Sequence, residues 1–222
     1  MASISPIRLV PDLTDQVYQR LLNAICEGDL APGARLTQED LAATLDVSRQ
    51  PVLQALRMLK KDGFVVDAGR RGLMVLPLGA QAISHIYEVR SALDGLAARQ
   101  AALSKSRIEM SVIAEGRKAV KGSRIGAMID TDVRFHNLIY SASGNPLIAQ
   151  SASHHWRHIR RAMGVVLQQA GVRDTVWDEH EAILKAINRG DADRAERLAR
   201  RHGEEAGHHL VQELDRHVRE AS

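Results

Sequence analysis

Two short segments separated by a tight turn constrain the fold of this chain most strongly. Residues 37–45 place Thr37 and Asp40 at the spacing of a helix N-terminal capping box. Residues 48–59 begin with a serine suited to cap a second helix and continue with leucines at helical spacing. Only two residues lie between the segments. This pattern predicts a helix-turn-helix whose second helix displays Arg49 on its first turn, towards the major groove of DNA.

The segments on either side complete a winged helix. Apolar residues at helical spacing predict a helix over residues 14–27. Residues 64–67 and 73–76 are rich in β-formers, and the turn between them contains Gly72, so they predict a hairpin. Three helices and a hairpin predict a winged helix-turn-helix DNA-binding domain over residues 1–76.

Charge is distributed unevenly along this part of the chain. The whole chain carries a formal net charge of only +3, but residues 1–46 carry −4 and residues 47–76 carry +4. A basic patch of this size is as often a solvated helix face as a nucleic-acid surface. Its position on the predicted second helix favours double-stranded DNA as the partner. The residues expected to contact DNA are Arg35, Ser48, Arg49, Gln50, Gln54, Arg57, Arg71 and Gly72.

Residues 77–80 are a plausible linker, and the remainder of the chain, residues 81–222, has a different character. Every segment there predicts helix, and proline or glycine marks the breaks between segments. Aromatic residues make up only 3% of the whole chain, which favours helix over sheet. The sequence therefore predicts a mainly α protein whose C-terminal domain is an all-α antiparallel bundle of six helices.

Four ionisable residues in this bundle occupy positions on or beside an apolar stripe. They are Asp132 and His136 on one helix, His180 on a second and His202 on a third. Burying them costs several kcal/mol unless each is satisfied, and one metal ion would satisfy all four. Three nitrogens and one oxygen suit a divalent transition metal, with zinc preferred and nickel, manganese or iron as alternatives.

Two alternatives to this interpretation exist, and the partner of a further buried charge, Arg90, is also open. Each histidine alone is more often an ordinary core residue bonded to a neighbour. The i, i+4 pair His154 and His158 also has ligand spacing, although no carboxylate accompanies it. Arg90, another charge on an apolar stripe, pairs either with Asp94 four residues later or with an anionic ligand beside the metal.

Other features exclude whole classes of protein. A single cysteine, Cys26, excludes an internal disulfide and fits a reducing cytoplasm. The N-terminal residues lack the apolar segment of a signal peptide. No apolar run approaches the roughly 18 residues of a membrane span. We therefore expect a cytoplasmic location with no membrane partner.

Several of these motifs together resemble the GntR family of bacterial transcription regulators. The first part of the chain is similar to the winged helix of this family. The matching segments are residues 28–36, Asp40-Leu41-Ala42, residues 47–52 and Ala55-Leu56. The second half of the chain resembles the FCD domain of its FadR subfamily. The matching segments are residues 88–94, Asp132-Val133-Arg134-Phe135-His136, Gly144-Asn145-Pro146-Leu147, Glu179-His180 and His202. The resemblance implies a homodimer and a metal held by Asp132, His136, His180 and His202, with a small organic acid bound beside it.

One departure from the family concerns the recognition helix. The family usually has arginine and then glutamate after the Pro-Val pair, where this chain has Leu53 and Gln54. Because that arginine commonly contacts DNA, one contact is lost, and the resemblance leaves open whether the operator or the affinity changes.

The combined interpretation is a ligand-responsive, metal-containing transcription regulator, expected to be a repressor and not an enzyme. A small carboxylate acts as effector, with Arg90 as its binding residue. Two rivals remain open from the residues alone. One is a metal-dependent hydrolase, since three histidines and an aspartate leave coordination positions free. The other is a DNA-binding protein with a purely structural metal and no effector.

Overall fold

A computed structural model describes residues 12–69, 72–105, 107–169 and 175–220. The chain divides into two compact units, Met1–Pro77 and Leu78–Ser222, and each has its own apolar core. The described residues form nine helices and a single three-stranded sheet, so the protein is mainly α, as the sequence predicts.

The N-terminal unit is a winged helix-turn-helix. Its elements are α1 (Leu13–Glu27), β1 (Arg35–Leu36), α2 (Gln38–Leu45), α3 (Arg49–Lys61), β2 (Val65–Asp67) and β3 (Leu73–Val75). The strands are antiparallel in the order β1-β3-β2. The sequence predicts the β2–β3 hairpin but misses β1, because a strand of two residues is too short to show an alternating pattern.

Local signals fix the ends of these helices. Asp12 caps α1 by accepting a hydrogen bond from the backbone of Thr14, and Gly28 ends the helix at φ +90°. The Thr37 side chain caps α2 by accepting from the backbone N–H of Asp40 at 3.1 Å. Buried apolar side chains of α1 and α3, with Phe64, form the core that holds α3 in place.

The C-terminal unit is a helical bundle. Its helices are α4 (Ala80–Leu103), α5 (Ser111–Lys121), α6 (Ile125–Ala142), α7 (Pro146–Gln169), α8 (Val176–Asn188) and α9 (Ala192–Glu220). Gly144 at φ +70° and Pro146 separate α6 from α7, and Gly190 at φ +73° separates α8 from α9. These breaks lie where the sequence predicts them.

Glycines allow α4 and α9 to pack closely and antiparallel to each other. A Cβ atom at Gly203 of α9 would lie 2.9 Å from the Cβ of Ser91, and one at Gly207 would lie 2.7 Å from the Cβ of Tyr87. Both separations are too short for carbon atoms, so only glycine fits. This contact aligns the buried side chain of Arg90 on α4 with that of His202 on α9.

The same reasoning yields a stability prediction for α5. A Cβ at Gly116 would lie 2.0 Å from the indole ring of Trp177, a buried residue of α8. We expect Gly116→Ala to lower the free energy of unfolding by about 1–3 kcal/mol, because the ring must shift within a packed core. Urea unfolding measures the change.

Gly126→Ala is the matched control. Gly126 also lies in a helix, but a Cβ there meets nothing within 4 Å. Because alanine favours helix, the free energy of unfolding of Gly126→Ala should stay the same or rise by up to about 1 kcal/mol. Equal stability of the two variants would contradict the packing described for α5 and α8.

Candidate metal centre and nucleic-acid interface

The N-terminus of α3 is exposed and carries polar side chains. Ser48 occupies the N-cap position, and its side chain makes no capping hydrogen bond within the helix. Arg49 and Gln50 follow on the first turn, and both are exposed. Gln54 is half-buried and Arg57 is exposed further along the helix. These side chains are available to a ligand outside the protein, as a recognition helix requires.

Ion pairs hold two of the basic side chains on this surface. Arg49 Nη2 lies 2.8 Å from Glu39 Oε1 on α2, and Lys60 Nζ lies 2.6 Å from Asp67 Oδ2 on β2. All four side chains are largely exposed, so each pair contributes at most about 1 kcal/mol. Exchange of Glu39 for a phosphate or a base edge therefore costs Arg49 little.

The small sheet contributes the remaining predicted contacts. Arg35 of β1 is exposed. Gly72 precedes β3 with φ +104°, and a Cβ there would lie 3.2 Å from the carbonyl oxygen of Leu36. Only glycine fits this position without strain. Arg71 lies outside the described residues.

A cluster of three buried histidines lies in the C-terminal unit. His136 of α6, His180 of α8 and His202 of α9 each have a ring nitrogen within 4.8 Å of the others, and all three are at most 3% exposed. His180 Nε2 lies 3.0 Å from His202 Nε2. Two nitrogens bound to one ion, each at about 2.1 Å, are separated by about 3.0 Å at adjacent octahedral positions and by about 3.4 Å at tetrahedral ones.

Asp132 lies next to this cluster, one helical turn before His136. Its Oδ1 is 3.5 Å from His180 Nε2, and the side chain is 12% exposed. The structure thus brings together the four residues singled out in the sequence. Among the described residues, no other three side chains of metal-ligating type converge in this way, and His154 and His158 remain apart from the cluster on α7.

Carboxylates and a guanidinium fix the orientation of two of the rings. Glu179 Oε2 lies 2.7 Å from His202 Nδ1, and Asp94 Oδ2 lies 3.5 Å from His136 Nδ1. Arg90 Nη2 lies 2.7 Å from His136 Nε2. Because guanidinium can only donate, His136 Nε2 carries a lone pair and its proton is on Nδ1. Burial lowers the pKa of His136, and Arg90 adds to the effect, so the ring is neutral, as a metal ligand must be.

Arg90 is held by several groups in the core. Its Nε lies 3.3 Å from Asp94 Oδ2, and its guanidinium carbon lies 4.1 Å from the centre of the Trp156 ring. Tyr140 donates a hydrogen bond of 2.5 Å to the other oxygen of Asp94. Burial opposes ionisation of Asp94, but the charge of Arg90 and the hydrogen-bond donors of His136 and Tyr140 outweigh it and hold the pKa of this carboxyl well below its usual range. Asp94 is thus an ionised partner of Arg90.

A cavity of about 70 Å³ adjoins the histidine cluster. Arg90, Asp132 and His202 line it together with Tyr87, His209, Met163, Val166, Leu167, Val176, Ala206 and Leu210. Arg90 therefore has its partner Asp94 and also faces a space large enough for a small ligand, so both alternatives for this residue have a structural basis.

Sequence reasoning missed several residues of this site. Glu179, Tyr87, Tyr140 and Trp156 carry no periodic signal that separates them from ordinary helix residues. His209 has the appearance of a surface residue in the sequence, but it is half-buried and lines the cavity. The position of Glu179 directly before His180 is the only hint, and it becomes informative only once α8 and α9 are known to be adjacent.

None of the described helices is long and apolar enough to cross a membrane.

Comparisons with known proteins agree with both units. Residues 13–75 match the bacterial regulatory proteins of the gntR family, and residues 85–205 match the FCD domain. The HTH-type transcriptional regulator YdhC of Bacillus subtilis is 26% identical over 90% of this chain and 92% of its own length. The HTH-type transcriptional repressor RspR of Escherichia coli is 22% identical over 87% of this chain and 86% of its own.

A solved structure has the same fold. That of McbR/YncC from E. coli superposes with a TM-score of 0.73 at 21% identity, covering 91% of this chain and 99% of the other.

Proposed function

The chain belongs to the GntR family of bacterial regulatory proteins and carries an FCD domain, and from this premise we propose that a small carboxylic acid bound beside a divalent metal ion controls its binding to DNA. It is a DNA-binding transcription regulator and not an enzyme. The observation that carries the proposal is the buried histidine cluster beside a cavity lined by Arg90. We further propose that it is a repressor, as its relative RspR is named, and that it acts in the cytoplasm.

DNA recognition is assigned to α3 and the small sheet. Arg49, Gln50 and Gln54 are proposed to reach the major groove, and Ser48, Arg57, Arg35 and Arg71 the phosphates. Gly72 is proposed to let the hairpin approach the backbone of the duplex. Leu53 replaces the arginine that commonly contacts DNA in the family, so we expect one contact fewer to the operator from this turn of α3.

A homodimer is proposed through the exposed face of α4. Val89, Leu96 and Leu103 recur every seven residues on this helix and are 48%, 40% and 61% exposed. If two α4 helices pair antiparallel about Leu96, the leucines and valines meet each other. In this arrangement Glu88, eight residues before Leu96, lies opposite the C-terminal end of the other α4 helix. Lys105 of that second copy, nine residues after its Leu96, is near the same place. A self-complementary apolar row with opposite charges at its two ends favours a second copy of the chain as the partner.

We expect Leu96→Glu to convert the dimer to a monomer, because the substitution places two carboxylates at the centre of the symmetric contact. Sedimentation equilibrium measures the change. Operator affinity should fall sharply with it, because two half-sites are no longer read together.

Two variants separate the effects of assembly from those of recognition. Leu147→Glu alters a more exposed leucine on α7, 65% exposed, and should remain dimeric. Arg49→Ala should also remain dimeric but lose about 1–3 kcal/mol of operator binding if Arg49 reads a guanine. A dimeric Leu96→Glu would rule out the α4 face, and full operator affinity in Arg49→Ala would rule out its assignment.

The histidine cluster is proposed to hold a divalent transition metal ion, with Asp132 as a fourth ligand. The donor set fits zinc, nickel, manganese or iron, and zinc is preferred. Two carboxylates support the fit: Glu179 and Asp94 contact the Nδ1 atoms of His202 and His136, as outer partners of metal-bound histidines do. Such an ion would polarise a carboxylate ligand and contribute positive charge to the cavity.

Protein purified without chelator is expected to contain about one equivalent of metal per chain, measured by atomic emission. His136→Ala, His180→Ala and His202→Ala should each remove it and lower the melting temperature. Glu179→Gln should keep the fold but weaken metal affinity about 10–100-fold. His158→Ala, a half-buried position of α7 outside the cluster, is the control and should bind metal normally. Metal loss in His158→Ala with retention in His180→Ala would identify the α7 histidines as the site instead.

Arg90 is the proposed receptor for the effector carboxylate. A guanidinium binds carboxylate through two parallel hydrogen bonds, and this one lines the cavity. Arg90 Nη2 and a metal ion need the same lone pair on His136 Nε2. In metal-loaded protein the Nη2 N–H of Arg90 must therefore donate to another acceptor. A carboxylate in the cavity can accept this hydrogen bond.

We expect a carboxylate that fits the cavity to change operator affinity of the metal-loaded protein about 5–150-fold, measured by fluorescence anisotropy. Arg90→Lys should abolish this response while metal content and effector-free operator binding stay near wild type, because lysine keeps the charge beside Asp94 but lacks the planar fork. Loss of metal in Arg90→Lys would show that Arg90 only supports the cluster. If no carboxylate changes the operator affinity of the wild-type protein, the result would favour a purely structural metal.

A further inference from the structure

We infer that the effector is a small monocarboxylate with an unbranched or singly branched apolar tail, and not a dicarboxylate or a polyhydroxy acid. This inference rests on the proposed function, because it takes the carboxylate end to lie at Arg90 and the metal ligands. The new element is the part of the acid beyond its carboxylate, which the rest of the cavity would contact.

The cavity extends from the histidine cluster in one direction. On α9, Ala206 and Leu210 follow His202 by one and two helical turns, and all three line the cavity. On α8, the lining residue Val176 lies one turn before His180. With about 1.5 Å of rise per residue, the lined stretch of α9 is about 12 Å long. One end of the cavity therefore adjoins the cluster, and the other is about two turns away.

Polar groups lie mainly at the cluster end. Arg90, Asp132 and His202 belong to the cluster and its immediate surroundings. Tyr87 lies one turn from Arg90 on α4, and burial raises the pKa of its hydroxyl to about 12, so it stays neutral. These groups suit a single carboxylate beside the metal ligands.

The distant end of the cavity is apolar. It is lined by Met163, Val166 and Leu167 of α7, Val176 of α8 and Leu210 of α9. Among the described lining residues, His209 is the polar exception at this level, and it already takes part in another interaction within the protein. A second carboxylate or a row of hydroxyl groups here would lose its water without gaining partners, which costs binding free energy.

The volume limits the length of the tail. A buried water needs about 10–15 Å³ by the same measure, so a cavity of about 70 Å³ holds roughly five or six groups of that size. Acids of three or four carbons, which have five or six heavy atoms, fit this limit. Long-chain acids exceed it.

The test is isothermal titration of zinc-loaded protein with acetate, propanoate, butanoate and succinate. Each added methylene that enters the apolar end should improve affinity about fourfold, so butanoate should bind about 15-fold more tightly than acetate. Succinate should bind no better than acetate. Acetate alone tests the head group and hence the proposed function, whereas the gain along the series tests the tail.

A pair of variants on α7 locates the tail. Leu167→Gln should reduce the gain from acetate to butanoate at least fivefold while leaving acetate affinity unchanged, because it makes polar the end of the cavity towards which only the tail of the acid extends. Val165→Gln is the matched control: Val165 is also half-buried on α7 but does not line the cavity, so the gain should persist.

The outcomes separate the two ideas. Equal binding of acetate and butanoate, or tighter binding of succinate, would overturn the apolar tail and leave a carboxylate effector in place. Failure of all four acids to bind would overturn both. A gain that survives in Leu167→Gln but disappears in Val165→Gln would move the tail site away from this cavity.

Discussion

The close contact between α4 and α9 is the constraint on which the C-terminal unit depends. Gly203 and Gly207 bring the backbone of α9 against Ser91 and Tyr87, closer than any side chain would permit. The site spans this contact, because α4 supplies Arg90 and α9 supplies His202. A Cβ at either position would clash with α4, so a larger residue would force apart the two helices that supply Arg90 and His202.

The second determinant is a buried electrostatic network with few ways to be satisfied. Arg90, Asp94, His136 and Tyr140 are all buried, and each contacts at least one other member. A buried ion pair contributes little net stability compared with an apolar pair of similar size, but removal of one partner leaves an uncompensated charge. Such a network is costly for stability alone. Its position beside a cavity fits a role in binding, where fixed donors recognise an anion without reorganisation.

The N-terminal unit uses charge differently. Its ion pairs, Arg49 with Glu39 and Lys60 with Asp67, lie at the surface and are weak in water. Weak pairs suit the proposed DNA-binding surface, because replacing their carboxylates with phosphates or base edges would cost little free energy. The proposed effector site has the opposite arrangement: its charged groups are buried and held in place by their neighbours, which favours binding of a ligand in one defined geometry.

The sequence by itself determined the features that depend on neighbours along the chain. Capping residues and turn glycines marked the helices, and the 3.6-residue period showed that His136, His180 and His202 lie on buried faces. The same local signals could not detect β1, which has two residues and pairs with β3 from a distant part of the chain.

Only the tertiary structure decided which buried groups meet. His136 and His202 are separated by 66 positions in the sequence, yet helix packing brings their ring nitrogens within 4.8 Å. The contact of Glu179 with His202, the half-burial of His209 and the apolar end of the cavity arise in the same way. Periodicity gives the face of a helix on which a residue lies, but the distance between two faces is set by the side chains that fill the space between helices, and that is a property of the whole packed bundle.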